Sequence, residues 1–172
     1  MGEYLLSVDP GTEAIGVAVW GDIRYTPENR VMRTLIEGLV IRPQSMKWAW
    51  HDKVLSMTQQ LEEFVGDFNF HILAIEWPHI MGGARGMAAN QGGTLLKLAY
   101  SVGAIAQWCQ SRRRCDVLVC PVFQWKGQLP KSVVAKRIRK RLTASEIAVL
   151  SGNESHDWDA CGIGLYQQGR FG

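Results

Sequence analysis

The chain has few cysteines, no repeated unit and no long apolar run. Its four cysteines, Cys109, Cys115, Cys120 and Cys161, form no Cys-x-x-Cys pair and lack matching histidines nearby. That argues against structural zinc and leads us to expect reduced thiols. No apolar stretch is long enough to cross a bilayer, so no membrane anchor is expected. Met1-Gly2-Glu3 lacks the basic start of a signal peptide, and the expected location is the cytoplasm of a bacterial or phage-infected cell. No linker or low-complexity segment interrupts the 172 residues, a length that suits one domain over 1–172 with a sizeable core.

Charge of one sign is scarce overall, with a net charge of only +3. Its distribution says more. Arg112, Arg113 and Arg114 form one basic run, and Lys131, Lys136, Arg137, Arg139, Lys140 and Arg141 form another. Positive charge gathered in one half of a chain suits a polyanionic partner, although a solvated helix face has the same look.

The order of elements is legible. Tyr4 to Val8 is a short apolar run closed by Asp9-Pro10-Gly11-Thr12, a strand meeting a tight turn. Ile15 to Trp20 and Leu35 to Ile41 follow after short loops, as antiparallel hairpin strands require. Trp50, Val54, Met57, Leu61 and Phe64 then take helical spacing, ending near Gly66. His71 to Ile75 is a fourth strand. A glycine-rich stretch, Gly82 to Gly93, leads to a helix from about Thr94 to Cys109, and Asp116 to Cys120 is a fifth strand. A helix follows Pro130, with Val134, Ile138 and Leu142 on its apolar side. Thr143 and Glu146 have capping-box spacing, and a last helix begins near His156. This order predicts an α/β fold: a five-stranded mixed sheet with helices on both faces, compatible with a ribonuclease H-like domain.

Asp9 ends the first predicted strand and Glu76 the fourth. Sheets of this kind place ligands beyond the carboxyl ends of their strands. Asp9 before Pro-Gly also suits a plain turn. Glu76 is harder to explain that way, because Ile72-Leu73-Ala74-Ile75 runs a buried strand straight into a charge that needs a partner. In Ser155-His156-Asp157-Trp158-Asp159-Ala160, His156 and Asp159 share a helix face, whereas Asp157 is rotated away. Acidic residues in a first helical turn also complement the helix dipole. Together, two strand-end carboxylates with an Asp and a His can hold two divalent cations, which clamp a phosphodiester during in-line displacement. Magnesium prefers oxygen ligands, and the imidazole keeps manganese open.

These residues resemble the RuvC family of Holliday junction resolvases. Leu6-Ser7-Val8-Asp9-Pro10-Gly11-Thr12 with Gly16 is similar to the family's opening motif, Ile75-Glu76 to its second acidic motif, and His156-x-x-Asp159-Ala160 to its closing one. Leu95-Leu96-Lys97-Leu98 and Gly103 resemble the helix that follows the glutamate. The resemblance implies that Asp9, Glu76, His156 and Asp159 are catalytic and bind metal, with Mg2+ or Mn2+ as cofactor. It also implies a homodimer that nicks two opposed strands of a four-way junction. Ala99, Gly103, Ala104 and Ala106 would allow close approach at a dimer seam. Trp125-Lys126-Gly127-Gln128-Leu129-Pro130-Lys131 looks like divergent, phage-type relatives, which implies a substrate range extending to other branched DNA. The loop after Glu76 has no phenylalanine to wedge a junction, leaving Trp77, His79 or Met81 for that role.

Lys126, Lys131, Lys136, Arg137 and Lys140 are candidates for phosphate contacts, and Arg85 for the junction centre. Trp125 suits base stacking, but with seven tryptophans in the chain the core is the favoured place for it. Rival readings are a ribonuclease or pre-ribosomal RNA nuclease of the same superfamily, a sugar-kinase or actin-like lobe, and a non-catalytic nucleic-acid-binding module.

Overall fold

The short apolar run Tyr4–Asp9, buried on both faces, makes β1, and the hairpin strands β2 (Ile15–Tyr25) and β3 (Val31–Ile41) follow it. In the computed structural model, residues 4–25, 31–66, 68–78, 93–150 and 155–171 are described. Helix α1 spans Trp50–Val65, strand β4 Phe70–Trp77 and helix α2 Thr94–Trp108, which runs on into a π-helical turn, Cys109–Arg113. Strand β5 (Asp116–Pro121) leads to α3 (Val122–Trp125), α4 (Lys131–Arg141), α5 (Ala144–Ala148) and α6 (Ser155–Gln167).

The sheet order is β3-β2-β1-β4-β5. β1 and β2 are antiparallel, as are β2 and β3, while β4 lies parallel to both β1 and β5. β2 and β3 are longer than their apolar runs because hairpin pairing continues outward to Tyr25 and Val31. The one-turn helix α3 has too few residues to show a period.

Strand alternation divides the interior into two layers. Leu6, Val8, Leu73 and Ile75 face α1 and α2, packing with Val54, Met57, Leu61, Val102 and Ile105. Leu5, Ala18, Trp20 and Ala74 face the other way, against Val134 and Ile138 of α4 and Trp158, Cys161 and Ile163 of α6. α6 is buried continuously from Asp157 to Leu165. This makes it a core helix, which explains why it carries no amphipathic stripe.

The Thr143–Glu146 capping box is present: Glu146 N donates to Thr143 Oγ1 at 3.2 Å, and Thr143 N to Glu146 Oε2 at 2.8 Å. The expectation of four reduced thiols needs correction. The π-helical turn and Arg114, at a left-handed φ of 53°, bring the Cα atoms of Cys109 and Cys115 to 5.9 Å, and their sulfurs are bonded. Cys120 and Cys161 are free and buried. Among the described residues, no helix is long and apolar enough to cross a membrane.

Candidate active site

Strands β1 and β4 are neighbours with Val8 paired to Ile75, so the residues that follow, Asp9 and Glu76, end side by side. Val8 and Ile75 both enter the α1/α2 layer. Their successors therefore project to the opposite face, toward α6.

Two features bring α6 down onto that face. A Cβ at Gly16 would run into the His156 carbonyl and crowd the next backbone nitrogen, so a bare backbone on β2 is what lets the start of the helix approach. Beneath, Ser7 Oγ donates to the Ala160 carbonyl at 2.8 Å and accepts from Trp20 Nε1 at 2.8 Å. β1, β2 and α6 are thus tied together in the dry interior. At the mouth, Ser101 Oγ donates to the Gly11 carbonyl at 3.0 Å, fixing the turn after Asp9 to α2.

The four predicted site residues share one region but fall into two halves, one a direct contact and the other joined through a lysine. His156 Nδ1 lies 2.7 Å from Asp9 Oδ2. Lys126 Nζ lies 3.0 Å from Glu76 Oε2 and 3.2 Å from Asp159 Oδ2, bridging these two carboxylates. Trp125 Nε1 also donates to Glu76 Oε2, at 3.0 Å.

Mutual electrostatics show how closely the acids crowd. Burial, with Asp9 and Asp159 nearby, pushes the Glu76 carboxyl up to about 7 against the opposing pull of Lys126. Burial and then Asp9 likewise raise Asp159. For Lys126, burial favours the neutral amine, but Glu76, Asp159 and Asp9 outweigh it and raise the ammonium. The hydrogen bond to the Asp9 carboxylate, partly offset by burial, raises His156. Asp157 turns into the core, as its helix position requires; burial and then its charge push the Cys161 thiol far up.

Among the described residues, no three His, Cys, Asp or Glu side chains converge on one point ready to hold a metal ion. The expected pocket has instead been neutralised from within, because crowded, desolvated carboxylates need cations and Lys126 and His156 supply them. By its chemistry, a donor set of three carboxylates and an imidazole fits a divalent cation.

Lys126 therefore stands among the acids, where the sequence suggested a phosphate contact. Lys131, Lys136, Arg137 and Lys140 are exposed on α4. Lys131 and Lys136 line a cleft of about 420 Å³ with Arg139, Ser155 and Trp158. Arg137 instead lines a separate cleft with Trp125 and Tyr166. Trp125 is core, at 3% exposure, with an edge-on contact to Phe171. Trp77, directly after Glu76, is 44% exposed. Arg85, His79 and Met81 lie outside the described residues.

No protein-family model matches the chain, nor does any curated protein sequence. Solved structures do. Thermus thermophilus RuvC in complex with a Holliday junction substrate aligns with a TM-score of 0.66 at 19% identity, over 98% of this chain and 93% of that one. The fold is that of RuvC. A second T. thermophilus RuvC structure gives 0.65 at 20% identity over the same shares. The fowlpox virus resolvase, solved with Holliday junction DNA, gives 0.55 at 14% identity over 96% and 97%. The RuvC fold accounts for the ribonuclease H-like order read from the sequence, three hairpin strands followed by two parallel ones.

Proposed function

We propose that this chain is a metal-dependent DNA endonuclease that resolves Holliday junctions by paired, symmetric nicks, with residues 1–172 acting as one nuclease domain. The observation that carries this reading is the placement of Asp9 and Glu76 at adjacent strand ends under the helix bearing His156 and Asp159, on a fold otherwise seen with junction DNA.

On this reading Asp9, Glu76, His156 and Asp159 would hold two Mg2+ or Mn2+ ions, which when bound would supply Lewis-acid activation of water and charge stabilisation at the phosphate. The chain's own groups do the rest. β1 and β4 fix the carboxylates on a rigid frame. Asp9 orients the His156 ring through Nδ1. Trp125 holds one Glu76 oxygen. Lys131, Lys136, Arg137 and Lys140 meet backbone phosphates.

A homodimer matches the two-fold symmetry of a four-way junction. Its seam would use the exposed apolar side of α2, which carries Leu96 and Tyr100, together with Leu55 on α1. A groove of about 560 Å³ lies there, lined by Leu55, Tyr100, Gly103 and Ala104.

The test is cleavage of a synthetic four-way DNA junction by the purified chain with Mg2+ or Mn2+, scored for symmetric paired nicks. RNA–DNA hybrid, structured RNA and flapped DNA are run in parallel. Preferential cutting of RNA substrates would replace this reading with a ribonuclease of the same superfamily.

A further inference from the structure

We infer that Lys126 is a built-in placeholder for one of the two cations: its ammonium occupies the position between Glu76 and Asp159 and must leave before a divalent ion binds there. This rests on the metal-site reading above and adds to it a competitor carried by the chain itself.

The geometry is specific. Lys126 Nζ reaches one oxygen of each carboxylate, 3.0 Å to Glu76 Oε2 and 3.2 Å to Asp159 Oδ2. It also sits 4.5 Å from the centre of the Trp125 ring. The side chain is 16% exposed, with Glu76 at 14% and Asp159 at 9%, so this is a partly desolvated pair of contacts, far from the weak regime of surface ion pairs. A surface lysine reaching for DNA phosphate would have its ammonium in water. This one points inward.

Lys126 is also anchored in a way that lets it act locally. It is the residue that ends α3, and its N–H donates to the Val122 carbonyl at 3.1 Å. Trp125 before it is buried, while Gly127 after it takes a left-handed φ of 58°. The backbone is fixed on one side by the core and turns sharply on the other, leaving the flexible four-carbon stem to move the charge.

An ammonium and a divalent cation cannot share the same two oxygens, since both need those lone pairs and their charges repel strongly at contact distance. Binding at Glu76 and Asp159 therefore includes expulsion of Lys126. Among the described residues the Asp9–His156 half is a direct contact with no lysine bridging it, so the two halves of the site differ in what a cation must displace. Without metal, the ammonium keeps Glu76 and Asp159 side by side. With metal, it becomes a free cation at the rim, placed to meet a substrate phosphate. Lys126 is thus a positioning residue whose role reverses when the ion arrives.

Two measurements on the full chain test this without relying on turnover. In the first, Mn2+ binding is measured by calorimetry for wild type, Lys126→Met, Lys126→Arg and Asp159→Asn. Removing the competitor in Lys126→Met is expected to tighten binding by about tenfold or more, a modest fraction of a close ion pair's worth. Lys126→Arg, still cationic, should stay near or weaker than wild type. Mn2+ binding by folded Lys126→Met that is no tighter than wild type overturns the placeholder. The second needs no variant: amine-specific labelling of the native chain, read by mass spectrometry, should find Lys126 shielded without metal and reactive with saturating Mn2+. Equal reactivity in both conditions overturns the inference even if the methionine variant fails to fold. Asp159→Asn separates the two levels of argument. If it binds Mn2+ as wild type does, the metal-site reading itself falls. If it loses the ion while Lys126→Met gains nothing, only the placeholder falls.

Discussion

His156 Nδ1 and Asp9 Oδ2 lie 2.7 Å apart although 147 positions separate them in the chain. That contact joins the first strand to the last helix, and it sets the protonation of the ring. The Asp9 hydrogen bond raises the His156 pKa above its ordinary 6.5. A group whose folded pKa is raised contributes stability that is complete below the unfolded value and fades as pH rises through the folded one. In NMR titration of the metal-free chain, His156 should titrate above 6.5, and Asp9→Asn should bring it down. An unchanged midpoint in that variant would rule out the coupling.

Glu76 gives a pH dependence of opposite use. Its folded pKa of about 7 lies above the ordinary 4.5, so its contribution to stability is present below 4.5 and is lost as pH rises toward 7. Ligation requires the carboxylate, so Mn2+ affinity should climb by about tenfold per pH unit below 7 and level off above it. Calorimetry at pH 6, 7 and 8 measures this. A flat profile would show that Glu76 does not ligate.

Asp9→Asn and Asp159→Asn keep the shape of the site but remove a charge. Both should bind a four-way junction about as wild type does and lose at least about a hundredfold in cleavage rate, beyond the cost typical of residues behind metal ligands. Gel-shift and single-turnover assays on the same preparations compare the two properties. Full turnover in either variant would exclude the site.

Lys131 and Lys136 line one cleft beside the site, and phosphate contacts made there should show in salt dependence. The double alanine variant should weaken junction binding and make the slope of log affinity against log salt shallower by about 2. Binding isotherms over a range of salt concentrations decide this; an unaltered slope would remove both residues from the interface.

Ser7→Ala tests the tie beneath the site. It strands the buried Trp20 N–H and removes the donor to the Ala160 carbonyl. Denaturant unfolding should show a loss of about 1–3 kcal/mol, with weaker Mn2+ binding because α6 is no longer held in register. A neutral result would mean that packing alone seats the helix.

Much of this was legible in the sequence. Strand periodicity, the Gly66 helix end and the Thr143–Glu146 box are local signals, and each corresponds to an element of the structure. The two strand-end acids were visible because a charge at the end of a buried run is anomalous. The neutralisation of Glu76 and Asp159 by Lys126 was not visible, since it depends on how a sharp turn after α3 redirects one side chain. The sequence favoured a core role for Trp125 over base stacking, and the side chain is buried; its hydrogen bond to Glu76 is a tertiary fact that no local signal carries. The Cys109–Cys115 bond was hidden because spacing alone does not reveal a π-helical turn.

Half of the proposed catalytic set rides on α6, the last helix of the chain as described. On the proposed reading, a chain in which Ser155–Gln167 is not seated on the sheet carries Asp9 and Glu76 without His156 and Asp159. Cleavage competence would then depend on docking that one helix, so the site is assembled by the tertiary fold and by no single stretch of sequence.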